Sequence, residues 1–232
     1  MAAVRSSLRQ RVSLPGSAAE IISDVNRQLV KDVEDSGQFM TMFFLVIDTT
    51  TGKLEWVRAG HDPGIVYDPG SDAFSELGGS GMALGVYGGF IYEDNKKSDF
   101  SNGQIIFLST DGIWEARNKK GEMLGKEPIL NAIRQNASSD ATQIIDSVFD
   151  TLEKFKDGTK IEDDITSVVI KIQTCDRPIR FWFGWLLFYI ICLTIFAKCY
   201  NVVSLRILNP ISENDRSLFK FSCLHKLTAH SV

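Results

Sequence analysis

The sequence predicts an α+β layered domain, and three observations carry that reading. Helical periodicity opens the chain, a long middle stretch reads as short strands joined by turns, and helices return before one last strand. Hairpin links rather than strand-helix-strand units join the middle strands, which argues against a parallel, doubly wound sheet.

Residues 2–10 read as the end of a helix, broken at Leu14-Pro15-Gly16. Ser17-Ala18-Ala19-Glu20 then forms a capping box for a second helix running to about Val33. Its Ile21, Ile22, Val25, Leu29 and Val33 recur at helical spacing, which buries one face and leaves Asp24, Arg27, Gln28 and Lys31 toward water. Residues 39–47, 53–59 and 64–67 are strand candidates, with Thr49-Thr50-Thr51-Gly52 turning the first into the second. Further strands are predicted at 73–77, 90–100 and 104–108. Helices follow at 126–135 and, capped by Ser139 or Asp140, at 141–156, before a final strand at 165–172.

The 232 residues, 44% of them hydrophobic, suffice for a real core plus an appendage. A formal charge of -4 and basic residues scattered among acidic ones argue against a nucleic-acid partner. Cys175, Cys192, Cys199 and Cys223 all lie beyond residue 172, so the region before them needs no disulfide, which fits a reducing compartment. Cys223, His225 and His230 lack the second cysteine pair of a zinc motif. Met1 to Arg11 carries Arg5, Arg9 and Arg11 and no continuous apolar stretch, so no secretory signal is read there. Residues 181–197 form an uncharged apolar run between Arg180 and Lys198, a candidate transmembrane helix. At about 1.5 Å per residue it reaches roughly 25 Å, near the short limit for a span. Trp182, Trp185 and Tyr200 could anchor it at the interfaces. Composition shifts after Ile172, which divides the chain into a domain at 1–173 and a tail at 174–232.

Two acidic strand-end motifs, Ser109-Thr110-Asp111-Gly112 and Asp163-Asp164-Ile165-Thr166, each put a carboxylate where a hard cation could sit. The plainer reading is an ordinary turn and a solvated strand start. Alternation along a strand would send Asp163 and Asp164 to opposite sides, leaving one of them as a ligand. His61 could act as acid or base, although a histidine bonded to its own loop is the better reading. Gly78-Gly79-Ser80-Gly81 lacks the Gly-Lys-Ser/Thr of a phosphate loop and reads as a flexible turn. Glu115 could support the Asp111 site or simply be a surface charge.

Phe39-Met40-Thr41-Met42-Phe43-Phe44, Ala59-Gly60-His61-Asp62-Pro63, Gly81-Met82-Ala83-Leu84-Gly85, Thr110-Asp111-Gly112-Ile113-Trp114-Glu115-Ala116 and Asp163-Asp164-Ile165-Thr166 occur in this order. The series resembles the PPM family of metal-dependent serine/threonine protein phosphatases, in the bacterial class typified by stage II sporulation protein E. The resemblance implies a four-layer α/β/β/α sandwich of two antiparallel sheets flanked by helices. It also implies a Mn²⁺ or Mg²⁺ site with Asp111 and Asp163 as metal ligands, no catalytic side chain assigned, and a phosphoprotein substrate such as an anti-sigma-factor antagonist. Asp62 stands where the class has Asn in Gly-His-Asn-Pro. The family's N-terminal Asp-x-x-Gly-His-Gly motif is not found, and Met1-Ala2-Ala3-Val4-Arg5-Ser6-Ser7-Leu8-Arg9 looks like the helix that follows it. The expectation is therefore an N-terminally truncated domain with an incomplete two-metal site and impaired turnover. The alternatives are an inactive binding module tethered to the membrane through residues 181–197, or a gene fragment. The tail would be inner-membrane-associated with the domain in the cytoplasm, or the whole chain cytoplasmic if the tail is an artefact.

Overall fold

The computed structural model describes residues 2–34, 36–48, 53–159, 163 and 165–172, together with the backbone at 188–190, 201–204 and 222–224. In chain order the elements are α1 (Ala2–Val12), α2 (Ala18–Val33), β1 (Met42–Asp48), β2 (Lys53–Ala59), β3 (Gly64–Asp68), β4 (Ala73–Leu77), β5 (Asn95–Lys97), β6 (Ile105–Ser109), α3 (Glu127–Gln135), α4 (Ala141–Lys156) and β7 (Thr166–Lys171). Short extended stretches at Phe188–Ile190, Asn201–Ser204 and Ser222–Leu224 pair at sheet edges. From β1 to β7 every pairing of strands is antiparallel, as the hairpin links predict. The chain forms two compact units and passes between them more than once.

The first unit holds α1, α2 and a sheet in which β2 lies between β5 and β1. The capping box of α2 is in place: Glu20 N–H donates to Ser17 Oγ at 3.3 Å and Ser17 N–H donates to Glu20 Oε2 at 2.9 Å. Such a cap contributes about 1 kcal/mol. Ile21, Ile22, Val25 and Leu29 pack with Met42, Phe44, Val57 and Ala59 into one core. Met42 to Leu45 are all buried, because this strand is covered on both faces. Asn26, fully buried, donates from Nδ2 to Tyr87 O and accepts from Gly85 N–H, both at 2.9 Å, so both ends of its amide are bonded.

The second unit holds β3, β4, β6, β7, α3 and α4, with β6 between β3 and β7. Phe107, Ile113, Ile129, Ile133, Ile144, Val148, Leu152, Ile165 and Val169 form its core. Asp140, not Ser139, caps α4, and Asp157 ends it in the left-handed conformation at φ 47°. Lys171 Nζ donates to Ala137 O and Ser139 O, both at 2.7 Å, satisfying carbonyls just past α3. Burial holds the pKa of that lysine below its usual value. Asp72, at φ 51° in the β3–β4 turn, accepts from Tyr67 OH at 2.9 Å and Arg134 Nε at 2.7 Å, which ties α3 to the hairpin.

Two strand expectations change. Residues 90–100 yield only Asn95–Lys97, because Phe90 and Tyr92 meet edge-to-face at 4.8 Å and pack into the first core on irregular backbone. Burial pushes the Tyr92 hydroxyl up to about 12. The strand expected from Phe39 begins at Met42, since Met40 bridges to Leu84 instead of joining the sheet. The expected turn at Thr49-Thr50-Thr51-Gly52 lies outside the described residues, although β1 and β2 on either side of it pair in full register.

Candidate functional site

The strands β6 and β7 pair from Ile105↔Lys171 to Ser109↔Ser167, so β6 ends where β7 begins. Their junction is closed by hydroxyls. Thr110 N–H donates to Thr166 O at 3.0 Å, Thr166 N–H donates to Thr110 Oγ1 at 3.1 Å, and the Ser109 and Ser167 hydroxyls lie 2.7 Å apart. Ser109, Thr110 and Ser167 are all buried; the two serine hydroxyls bond to each other, and the Thr110 hydroxyl accepts from the Thr166 N–H. Just beyond this closure the chain turns outward. Asp111 opens a 3-10 turn, Asp111–Ile113, and its carbonyl accepts from Trp114 N–H at 3.1 Å and Glu115 N–H at 3.0 Å. Ile113 and Trp114 are buried behind it, while the Asp111 side chain is exposed. On the other strand Ile165 is buried and Asp163 is exposed at a bend. Both acidic residues therefore emerge at the same end of one antiparallel pair.

The motif order and this fold agree with what comparison finds. The family description for stage II sporulation protein E (SpoIIE) matches residues 1–173. The chain belongs to the SpoIIE-type PPM phosphatase domain family. Among curated relatives, the phosphoserine phosphatase RsbU of Bacillus subtilis is 26% identical over 66% of this chain and 44% of its own length. Protein IcfG of Synechocystis is 30% identical over 62% of this chain and 22% of its own. The chain thus spans less than half the length of either. The solved SiaA-PP2C domain of Pseudomonas aeruginosa superposes with a TM-score of 0.61 at 18% identity, covering 72% of this chain and 65% of that one. That likeness shows the fold, two antiparallel sheets with their flanking helices.

The remaining residues singled out from the sequence sort by environment in this SpoIIE-type domain. Asp163 precedes β7 rather than lying on it, so the alternation argument that separated it from Asp164 does not apply; Asp164 lies outside the described residues. His61 is buried, with Nδ1 3.1 Å from Asp62 O and its ring edge-on to Phe43 at 6.4 Å, which is the contact with its own loop backbone expected of it. Glu115 is exposed, as a surface charge would be. Asp24 is held in ion pairs with Arg11 and Arg27. Gly78-Gly79-Ser80-Gly81 runs beside β2: Trp56 Nε1 donates to Gly78 O at 2.7 Å, and Gly60 N–H donates to Gly81 O at 3.1 Å. A Cβ on Gly81 would come within 1.5 Å of the Arg58 carbonyl oxygen, so this glycine is a close-approach residue rather than a flexible turn.

Among the described residues no group of three or more His, Cys, Asp or Glu is placed to hold a metal ion, and no helix is long and apolar enough to cross a membrane. The apolar run 181–197 lies outside the described residues apart from the backbone of Phe188–Ile190. His225 and His230 also lie outside them, as does the side chain of Cys223. The buried hydroxyls of Ser109, Thr110 and Ser167 are what sequence reading missed. Their signal was the Ser-Thr and Thr-Ser pairs adjoining the acidic motifs.

Proposed function

We propose that this chain is a PPM-type phosphatase domain that removes phosphate from phosphoserine or phosphothreonine on a bacterial regulatory protein, an anti-sigma-factor antagonist being the partner class. The observation that carries this reading is the β6–β7 register, which brings Asp111 and Asp163 to one end of the sheet within a chain of this family. The curated relative RsbU is itself named a phosphoserine phosphatase.

Asp111 and Asp163 are exposed oxygen donors on a closed, hydroxyl-bonded junction, a donor set that fits a hard cation such as Mn²⁺ or Mg²⁺. Such an ion, when bound, screens phosphate oxygens and supplies hydroxide near neutral pH. The chain's own part is to fix those carboxylates. Ser109, Thr110 and Ser167 lock the strand ends, and Ile113, Trp114 and Ile165 anchor the backbone on either side of the acids. Asp111 and Asp163 would supply part of such a seat, and the Asp-x-x-Gly-His-Gly motif that the family resemblance leads one to expect is not found in the sequence. Turnover by this chain is accordingly expected to be slow.

The test is Mn²⁺ binding by calorimetry beside phosphate release from a phosphoserine peptide. Binding that is lost in Asp111→Asn and in Asp163→Asn supports the assignment, with weak Mn²⁺-dependent release. Equal binding in wild type and both variants removes these residues from the site, and fast turnover overturns the incomplete-seat reading. This reading puts the domain on the cytoplasmic side, where such phosphoproteins reside, with any membrane attachment left to the tail at 174–232. Carbonate extraction with and without residues 174–232 tests that placement, and recovery of both forms in the soluble fraction rejects it.

A further inference from the structure

We propose that Arg58 anchors a subsite that takes a phosphate group. Arg58 sits on β2, held between β1 and β5. Its Nε is buried and has no hydrogen-bond partner among the described residues, and none of the ion pairs found among them includes it. Arg11, Arg27 and Arg134, by contrast, each meet an aspartate. Burying a cationic donor without a partner is costly, so an anion is the group that would relieve it. The planar guanidinium fork matches phosphate oxygens better than any other side chain.

The surroundings fix the anchor in place. Gly81 lies so close that a Cβ would sit 1.5 Å from the Arg58 carbonyl, and the Trp56 indole, two residues earlier on β2, donates to Gly78. The Arg58 backbone therefore has little freedom, and its side chain starts from a preorganised strand. This inference does not rest on the metal assignment, because none of its observations involves Asp111 or Asp163.

The experiment uses the full chain in EDTA, so that no divalent ion contributes, and titrates inorganic phosphate. The Arg58 Nε–H resonance should shift saturably and Tm should rise. Arg58→Lys should bind about tenfold more weakly, and Arg58→Met should lose the response. Mn²⁺ binding measured without EDTA tests the metal reading by itself, which keeps its failure distinct from failure of this one. Competition by a phosphoserine peptide but not by its unphosphorylated twin assigns the subsite to a phosphoprotein; competition by neither assigns it to free phosphate. An Arg58 Nε–H resonance that stays fixed at high phosphate overturns the proposal, as does equal binding by Arg58→Met. If Arg58→Met does not fold, the wild-type resonance decides.

Discussion

At the β6–β7 junction, Ser109, Thr110 and Ser167 are buried, the two serine hydroxyls bonded to each other and the Thr110 hydroxyl to the Thr166 N–H, while Asp111 and Asp163 are exposed. Along β2 the arrangement is reversed: His61 is buried against its own loop, and Arg58 keeps a buried Nε without a partner among the described residues. Both regions look alike as sequence, a short polar motif next to an apolar strand. They differ in whether neutral hydroxyls or ionisable groups carry the burial. Hydroxyls can satisfy each other as donor and acceptor, whereas a guanidinium has only donors and must find an acceptor elsewhere.

The strongest test of that contrast asks whether β6 is as central as the junction requires. Phe107→Ala should destabilise by about 3 to 5 kcal/mol, measured by urea unfolding, since Phe107 is 1% exposed in the second core. A loss under about 0.5 kcal/mol would place it at the surface. On the β2 side, Gly81→Ala should cost about 3 kcal/mol, because the new methyl meets backbone and not a movable side chain. An unchanged Tm would mean the two backbones are not held together.

Ser109→Ala should cost about 1 to 3 kcal/mol by leaving the buried Ser167 hydroxyl short of its partner. The double variant Ser109→Ala/Ser167→Ala should lose less than the sum of the two singles, and additive losses would deny the coupling. Asp111→Asn sharpens the comparison from the exposed side. Its stability should stay within about 0.5 kcal/mol of wild type while Mn²⁺ affinity falls, whereas a scaffold residue would show the opposite.

The smallest effect is a pH dependence at the β3–β4 turn. Hydrogen bonds from Tyr67 and then Arg134 hold the Asp72 carboxyl below its usual 3.8. A lowered folded-state pKa means the stabilisation is present above 3.8 and is lost as the pH falls through the folded value. Asp72→Asn should remove that part of the acid limb, and an unfolding profile identical to wild type between pH 5 and 2 would show that the exposed pair contributes nothing, as many surface pairs do.

Much of the fold was legible because it is written in local signals. The Ser17/Glu20 box, the spacing of Ile21, Ile22, Val25 and Leu29, and the run Ile105 to Leu108 each act over one turn or one strand. The order of short motifs likewise pointed to the family that the match over residues 1–173 shows. Boundaries failed where a tertiary contact outweighed propensity, as when Phe90 and Tyr92 left the strand pattern to fill the first core.

By itself the sequence determined the helices, the succession of hairpins, and the carboxylates that deserve mutation. Only the tertiary structure decided that His61 is buried against its own loop carbonyl, that Gly81 is fixed by the Arg58 carbonyl, and that hydroxyls fifty-eight positions apart close the strand ends beside Asp111. The physical reason is range. Propensity and periodicity are settled among near neighbours in the chain, whereas burial and the partner of a polar group depend on residues that folding brings from far away.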